Sequence, residues 1–241
     1  MLASLNLGSL DELVSKTIPG AIRLYKPLEI PDGGVTEREL IARLKKIASM
    51  NESYRSFIGA GYTDVLVPPV ILRNILENPS WYTQYTPYQP EISQGRLESL
   101  LNFQTMVSDL TGLPVANSSL LDEGTAAGES LVICLNAAKK KSKNVFFVDS
   151  RCHPQTIAVV FTRAEGFGAE VVVGEHETFD FASVGDRLCG ALVSYPDTLG
   201  RIDNFRNLSE TVHSYKANLV VTADLMSLTV LEPPSSFGAD I

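Results

Sequence analysis

VFFVDSRCHPQTIAVVFTRAEGFGAEVVVG, residues 145–174, reads as strand, helix and strand in succession. The runs at 145–148 and 170–173 are short, apolar and rich in β-branched or aromatic residues, as in strands buried on both faces of a parallel sheet. Between them Pro154 stands where a helix can start, because its missing N–H is not needed in the first turn. Outward from this unit the alternation continues. Strands are expected at 191–195 and 218–223, and helices at 125–139, 154–166 and 205–216. Strand and helix in regular alternation predict an α/β, doubly wound domain with right-handed crossovers.

The rest of the chain sets limits on this domain. Its 241 residues hold 28 acidic and 20 basic side chains, so the basic footprint that binds nucleic-acid phosphates is missing overall. No apolar run approaches the roughly 18 residues of a membrane span. The odd, scattered cysteines Cys134, Cys152 and Cys189 form neither a zinc pattern nor a disulfide framework, which suits a reducing compartment. Residues 1–56 read as a helical lead-in. Ser9 with Glu12, and Thr36 with Glu39, have capping-box spacing, the second pair ahead of the stripe Leu40, Ile41, Leu44 and Ile47. PDGG at 31–34 reads as a turn. From 57 to 94 the character changes. Trp81 to Tyr88 packs four aromatics and Pro87, with Pro90 just beyond, into an ordered loop that cannot be helical. A long helix follows, with Leu97, Leu100, Leu101, Val107 and Leu110 on one face and Gly112 near its end.

Ligands of open α/β sheets bind at the carboxyl ends of the strands, which directs attention to four places. Gly124 and Thr125 lead a helix crowded with Ala126, Ala127 and Gly128. Exposed N–H groups and the Thr125 hydroxyl there can cradle a phosphate, although small residues equally serve tight helix-to-sheet packing, and Asp122 and Glu123 are awkward neighbours for an anion. His153, after the strand at 145–148, can stack on a planar ring or move a proton, or simply cap the following helix. Asp224 ends an apolar strand, where a carboxylate is costly unless paired. Tyr85, Thr86 and Tyr88 offer hydroxyls on the aromatic loop, for a site wall, a subunit interface, or merely to pin the loop to the core. His176 and His213 read as surface residues without partners, and KKKSK at 139–143 as solvated charge after a helix. No metal-ligand spacing, Ser-His-Asp set or carboxylate dyad stands out.

YTQYTPYQPEISQGRLESLLNFQTMVSDLTGL from Tyr82, NSSLLDEGTAAGES from Asn117 and RCHPQT from Arg151 together resemble the glycine decarboxylase family, the P-protein of the glycine cleavage system. FIGAGYTD, PPVILRNILENP and FGADI extend the resemblance over nearly the whole chain. It implies an aspartate-aminotransferase-like fold (fold type I of the pyridoxal-phosphate enzymes), with residues 57–241 as a partial large domain. It also implies an oxidoreductase activity: pyridoxal-phosphate-dependent decarboxylation of glycine, with the aminomethyl group passing to the lipoylated H-protein. The cofactor would act as the electron sink of that reaction. By the same analogy Gly124 and Thr125 take the phosphate-loop position, His153 the ring-stacking position and Asp224 the position of the pyridinium-nitrogen partner. Tyr85, Thr86 and Tyr88 resemble the loop that the N-terminal half contributes near the active site. No metal is implied.

The sequence departs from a self-sufficient enzyme of that kind. In the family the Schiff-base lysine lies in a C-terminal half, and the lysines here (Lys16, Lys26, Lys45, Lys46, Lys139, Lys140, Lys141, Lys143 and Lys216) are not placed to be that residue. The resemblance therefore implies about a quarter of a P-protein, inactive alone and dependent on pairing with a C-terminal half or on a homodimer. An exposed sheet edge near FGADI would make it association-prone. The alternatives are a non-catalytic scaffold or degenerate copy supporting a lysine-bearing partner, and an unrelated phosphate-binding α/β module. Family membership implies the mitochondrial matrix in a eukaryote and the cytoplasm in a bacterium.

Overall fold

The computed structural model describes residues 1–26, 28–30, 34–138 and 140–241. The expected turn at 31–34 and Lys139 of the KKKSK run therefore fall, apart from Gly34 and the later lysines, outside the described residues. The chain divides into two units, Met1–Arg55 and Ser56–Ile241.

In the first unit α1 spans Leu10–Thr17 and α2 spans Glu37–Ala48. Thr36 and Glu39 form a complete capping box, each side chain satisfying the other's backbone N–H. At α1 the box is shifted. Ser9 accepts from the Glu12 N–H at 3.1 Å, but Glu12 reaches back to the Gly8 N–H at 2.8 Å rather than to Ser9. Leu40, Ile41, Leu44 and Ile47 remain exposed, and neither helix has a buried residue.

The second unit begins with a one-turn helix, α3 (Pro69–Ile71), which continues as a π turn. Next comes α4 (Pro90–Thr111), opened by Pro90 and closed by Gly112 in the left-handed conformation. It begins five residues before Gly95, because Pro90 is pre-set for a first turn. The α/β unit follows: α5 (Glu123–Ala137), β1 (Val145–Asp149), α6 (Pro154–Phe167), β2 (Glu170–Gly174), β3 (Leu188–Tyr195), α7 (Arg206–Ser214) and β4 (Asn218–Ala223). The four strands are all parallel in the order β2-β1-β3-β4, the expected α/β architecture. Several boundaries move: α5 starts two residues early because Asp122 caps it, β3 starts at Leu188 rather than Ala191, α7 ends two residues early at Ser214, and others shift by one or two residues.

Strand alternation divides the core. Phe146 and Val148 of β1 face Ala127, Leu131 and Cys134 of α5 and Val160 of α6. Phe147 faces the opposite layer, with Leu208 and Val212 of α7, Val193, Tyr195 and Phe237. All three cysteines are buried without a disulfide, and burial pushes each thiol up to about 12. At the end of α4, Leu110 is packed against the α7 layer, whereas Leu101 is exposed.

Two expectations about charge are corrected here. Lys143 is not solvated: it is 7% exposed and its ammonium donates to the carbonyls of Leu188, Tyr215 and Lys216. A cation is welcome there because α7 ends with unpaired carbonyls. His213 is exposed but partnered, with Nε2 2.8 Å from Asp240 Oδ2, and the same carboxylate accepts the Leu219 N–H. Residues 240 and 241 in turn bond to Leu219 and Val221 along β4.

Candidate functional site

The carboxyl ends of the strands meet the start of α5. The Asp122 carboxylate accepts the Thr125 N–H at 2.7 Å and the Thr125 hydroxyl, and these bonds hold Asp122 below the usual carboxylate range. Thr125, one of the donors expected to cradle a phosphate, is thus engaged by a carboxylate of the same turn. Beside it, Glu123 Oε1 accepts from Thr156 Oγ1 of α6 at 2.9 Å. The small residues have a packing role. A Cβ on Gly124 would lie 3.2 Å from Val159, and one on Gly128 3.3 Å from Arg163, so these glycines let α5 and α6 approach closely.

His153 is the N-cap residue of α6, but its ring does not cap the helix. Nδ1 lies 2.9 Å from Thr198 Oγ1, in the loop after β3. Gly61 abuts the other side of the ring: its φ is +89°, and a Cβ there would sit 2.7 Å from His153 Nε2. The Ala60–Tyr62 turn, His153 and the first residues of α5 and α6 line one cavity of about 210 Å³. That is smaller than the roughly 300 Å³ at which small-molecule sites begin.

Asp224 ends β4 as expected, but the structure leaves it exposed rather than buried and in need of a counter-charge. Its Oδ1 accepts the Met226 N–H at 3.1 Å, an ordinary turn-forming bond. It is not among the residues lining the cavity of His153 and Gly124. The aromatic loop is tied at its base by Arg96, whose guanidinium donates to the Ser80 and Trp81 carbonyls and lies 5.8 Å from the Trp81 ring centroid. Tyr85 donates to Gln89 Oε1 at 2.8 Å. Tyr82 and Tyr88 are more than four-fifths exposed, so these two rings do not pin the loop to the core. The structure thus brings Gly124 and His153 together, and it places neither Asp224 nor Tyr85, Thr86 and Tyr88 in their cavity.

All 241 residues match the glycine cleavage system P-protein family. The chain belongs to that family. Over its full length it is 55% identical to a glycine dehydrogenase (decarboxylating) of Akkermansia muciniphila and 53% identical to one of Nostoc. It is 54% identical to the mitochondrial enzyme of Pisum sativum. A crystal structure of glycine decarboxylase (P-protein) of the glycine cleavage system, in inhibitor-bound form, superposes with a TM-score of 0.86 at 32% identity. That match covers 100% of this chain and 54% of the other. The chain spans about a quarter of the length of the curated relatives it matches.

The P-protein family implies pyridoxal phosphate, and the residues present do not fit it. A phosphate at the start of α5 would meet the Asp122 carboxylate already on the Thr125 N–H, and like charges there repel. A ring stacked on the side of His153 that Gly61 abuts would have to displace Gly61. No described lysine of the second unit stands at the carboxyl ends of the strands: Lys140, Lys141 and Lys143 precede β1 and Lys216 precedes β4, at the opposite end of the sheet.

Sequence reasoning missed a second feature at this end of the sheet. His176 is not a solitary surface residue: its Nδ1 is in close contact with Asp149 Oδ2, and its N–H donates to the same oxygen at 3.1 Å. Burial raises the Asp149 pKa, but hydrogen bonds from His176 and from the Arg151 and His176 N–H groups outweigh it, leaving about 2. The same Nδ1 lies 2.8 Å from an Arg151 guanidinium nitrogen, so the ring nitrogen sits between a carboxylate and a cation. His176, Glu177 and Asp203 also place ligand atoms within 4.8 Å of one another, a metal-like spacing. Glu177 and Asp203 are already bridged there by Arg201 and approached by Arg151. Asp149 and Arg151 at the end of β1, His176 after β2 and Asp203 after β3 come from three separate segments, so no local spacing announces them as one cluster.

Proposed function

We propose that this chain serves as part of a glycine dehydrogenase (aminomethyl-transferring), and that its own share of the work is structural and wall-forming. The whole activity is glycine decarboxylation, with the aminomethyl group passing to a lipoylated H-protein. It belongs to the assembly of this chain with a lysine-bearing half, either in a pair of halves or in a homodimer. The observation that carries this reading is the match of every residue to the P-protein family, joined with an α5 N-terminus closed by Asp122. Identity of 53–55% over the full chain argues against a degenerate copy drifting without function.

Within this reading Gly124, Thr125, His153 and Asp224 hold positions equivalent to a cofactor site, refilled by the chain's own groups. Tyr85, Thr86 and Tyr88 are the part turned to chemistry. Their loop is anchored at its base by Arg96 and leaves the Tyr88 ring free for a neighbouring surface. The compartment follows the source, matrix in a eukaryote and cytoplasm in a bacterium. The test is complementation. Mixing the chain with a lysine-bearing C-terminal half should restore glycine-dependent exchange of carbon dioxide that neither part shows alone, and Tyr85→Phe should reduce it. Exchange by the C-terminal half alone, at an undiminished rate, would refute the reading.

A further inference from the structure

Arg151 stands between the carboxyl ends of β1 and β3, where the chain order of the sheet reverses and where open α/β sheets hold their ligands. Its side chain is 11% exposed and lies among four carboxylates. Nε is 3.4 Å from Asp149 Oδ1 and 3.7 Å from Asp197 Oδ2. One terminal nitrogen is 3.4 Å from Glu177 Oε2, and the other is 3.5 Å from Asp203 Oδ2 and 2.8 Å from His176 Nδ1. Asp149 and Asp197 are buried, and Asp197 Oδ2 has no hydrogen-bond partner at all. A buried carboxylate oxygen without a donor is costly, and the Arg151 guanidinium is the group it faces.

The walls of this nest do not depend on the side chain that fills it. Asp197 Oδ1 accepts the Leu199 and Arg201 N–H groups at 2.8 and 2.9 Å. Asp149 Oδ1 accepts the Arg151 backbone N–H at 2.8 Å, and Oδ2 accepts that of His176. Arg201 holds Glu177 and Asp203 from outside at 3.0 and 3.2 Å. On its outer side, His176, Glu177 and Asp203 also line a groove of about 630 Å³.

We propose that the carboxylate nest of Asp149, Glu177, Asp197 and Asp203 is a guanidinium-binding site, occupied in this chain by its own Arg151 as an internal ligand. The planar fork of a guanidinium matches carboxylates at several angles, which a spherical cation does not. The side chain closes the crevice and ties together the loops after β1, β2 and β3.

The test removes the internal ligand and supplies it from solution. Arg151→Ala should melt lower than the parent chain. Millimolar methylguanidinium should raise its Tm saturably, by about 3 °C once the site is mostly filled, with no rise in the parent chain. Tetramethylammonium, a cation without donors, should not substitute, and adding Asp197→Asn should abolish the effect. If Arg151→Ala is unfolded alone, the same titration is read as saturable recovery of near-UV circular dichroism. Absence of any saturable response in either readout overturns the proposal. So does an equal response to tetramethylammonium, which would show general charge screening.

Discussion

The Thr125 N–H donates to Asp122 Oδ1 at 2.7 Å, so the first turn of α5 is closed by a carboxylate of its own chain. A helix N-terminus attracts anions because its N–H groups lack partners, and here the anion is built in. Asp122→Ala should lower stability, and Asp122→Asn by less, since an amide oxygen still accepts the bond. Urea unfolding of the two variants measures this. Added phosphate should not restore the loss, because Glu123 remains beside the site.

Gly61 lies against the His153 ring with φ +89°. Gly61→Ala should cost about 2 kcal/mol, from a strained backbone and from the collision of the new methyl with Nε2. In a His153→Ala background the collision disappears and only the backbone share, about 1 kcal/mol, should remain. A double-mutant cycle read by denaturant midpoints separates the two.

Lys143 gives its ammonium to three carbonyls in the interior. Lys143→Met keeps the length and removes the charge, which leaves those carbonyls short of a donor. The expected loss is about 2–3 kcal/mol, seen as a lower urea midpoint with unchanged slope. An exposed neighbour, Lys140→Met, should change stability by less than about 0.5 kcal/mol.

Asp149 titrates near 2 in the folded chain, against an ordinary value of 3.8. A carboxyl whose folded pKa is depressed contributes stability that is fully present above its unfolded pKa and is lost as pH falls through the folded one. The contribution, about 2 kcal/mol, should therefore fade between pH 4 and pH 2. Asp149→Asn should be less stable than the parent at pH 6, and the gap should narrow toward pH 2. Unfolding free energies across that range decide it.

Most of the fold was legible because its signals are local. β-branched runs such as 170–173, Pro154 at a helix start and Gly112 at a helix end each act through their own backbone. The site was legible only by position. Asp224 stands at a strand end, as expected, but whether a carboxylate there is buried depends on what covers β4, and that is not written beside it. His176 and Asp149 are 27 residues apart, and Lys143 sits in a run of lysines that hides its burial. Partners across loops come from topology, and spacing in the chain does not encode them.

If the cofactor-equivalent positions proposed above are filled by the chain's own side chains, pyridoxal phosphate should find no single preferred lysine, since no described lysine of the second unit stands at the strand ends. Incubation with pyridoxal phosphate, borohydride reduction and mapping of pyridoxyl-lysine by mass spectrometry tests it most directly. Scattered, substoichiometric labelling of exposed lysines such as Lys140 is expected. Stoichiometric labelling of a single lysine would contradict it.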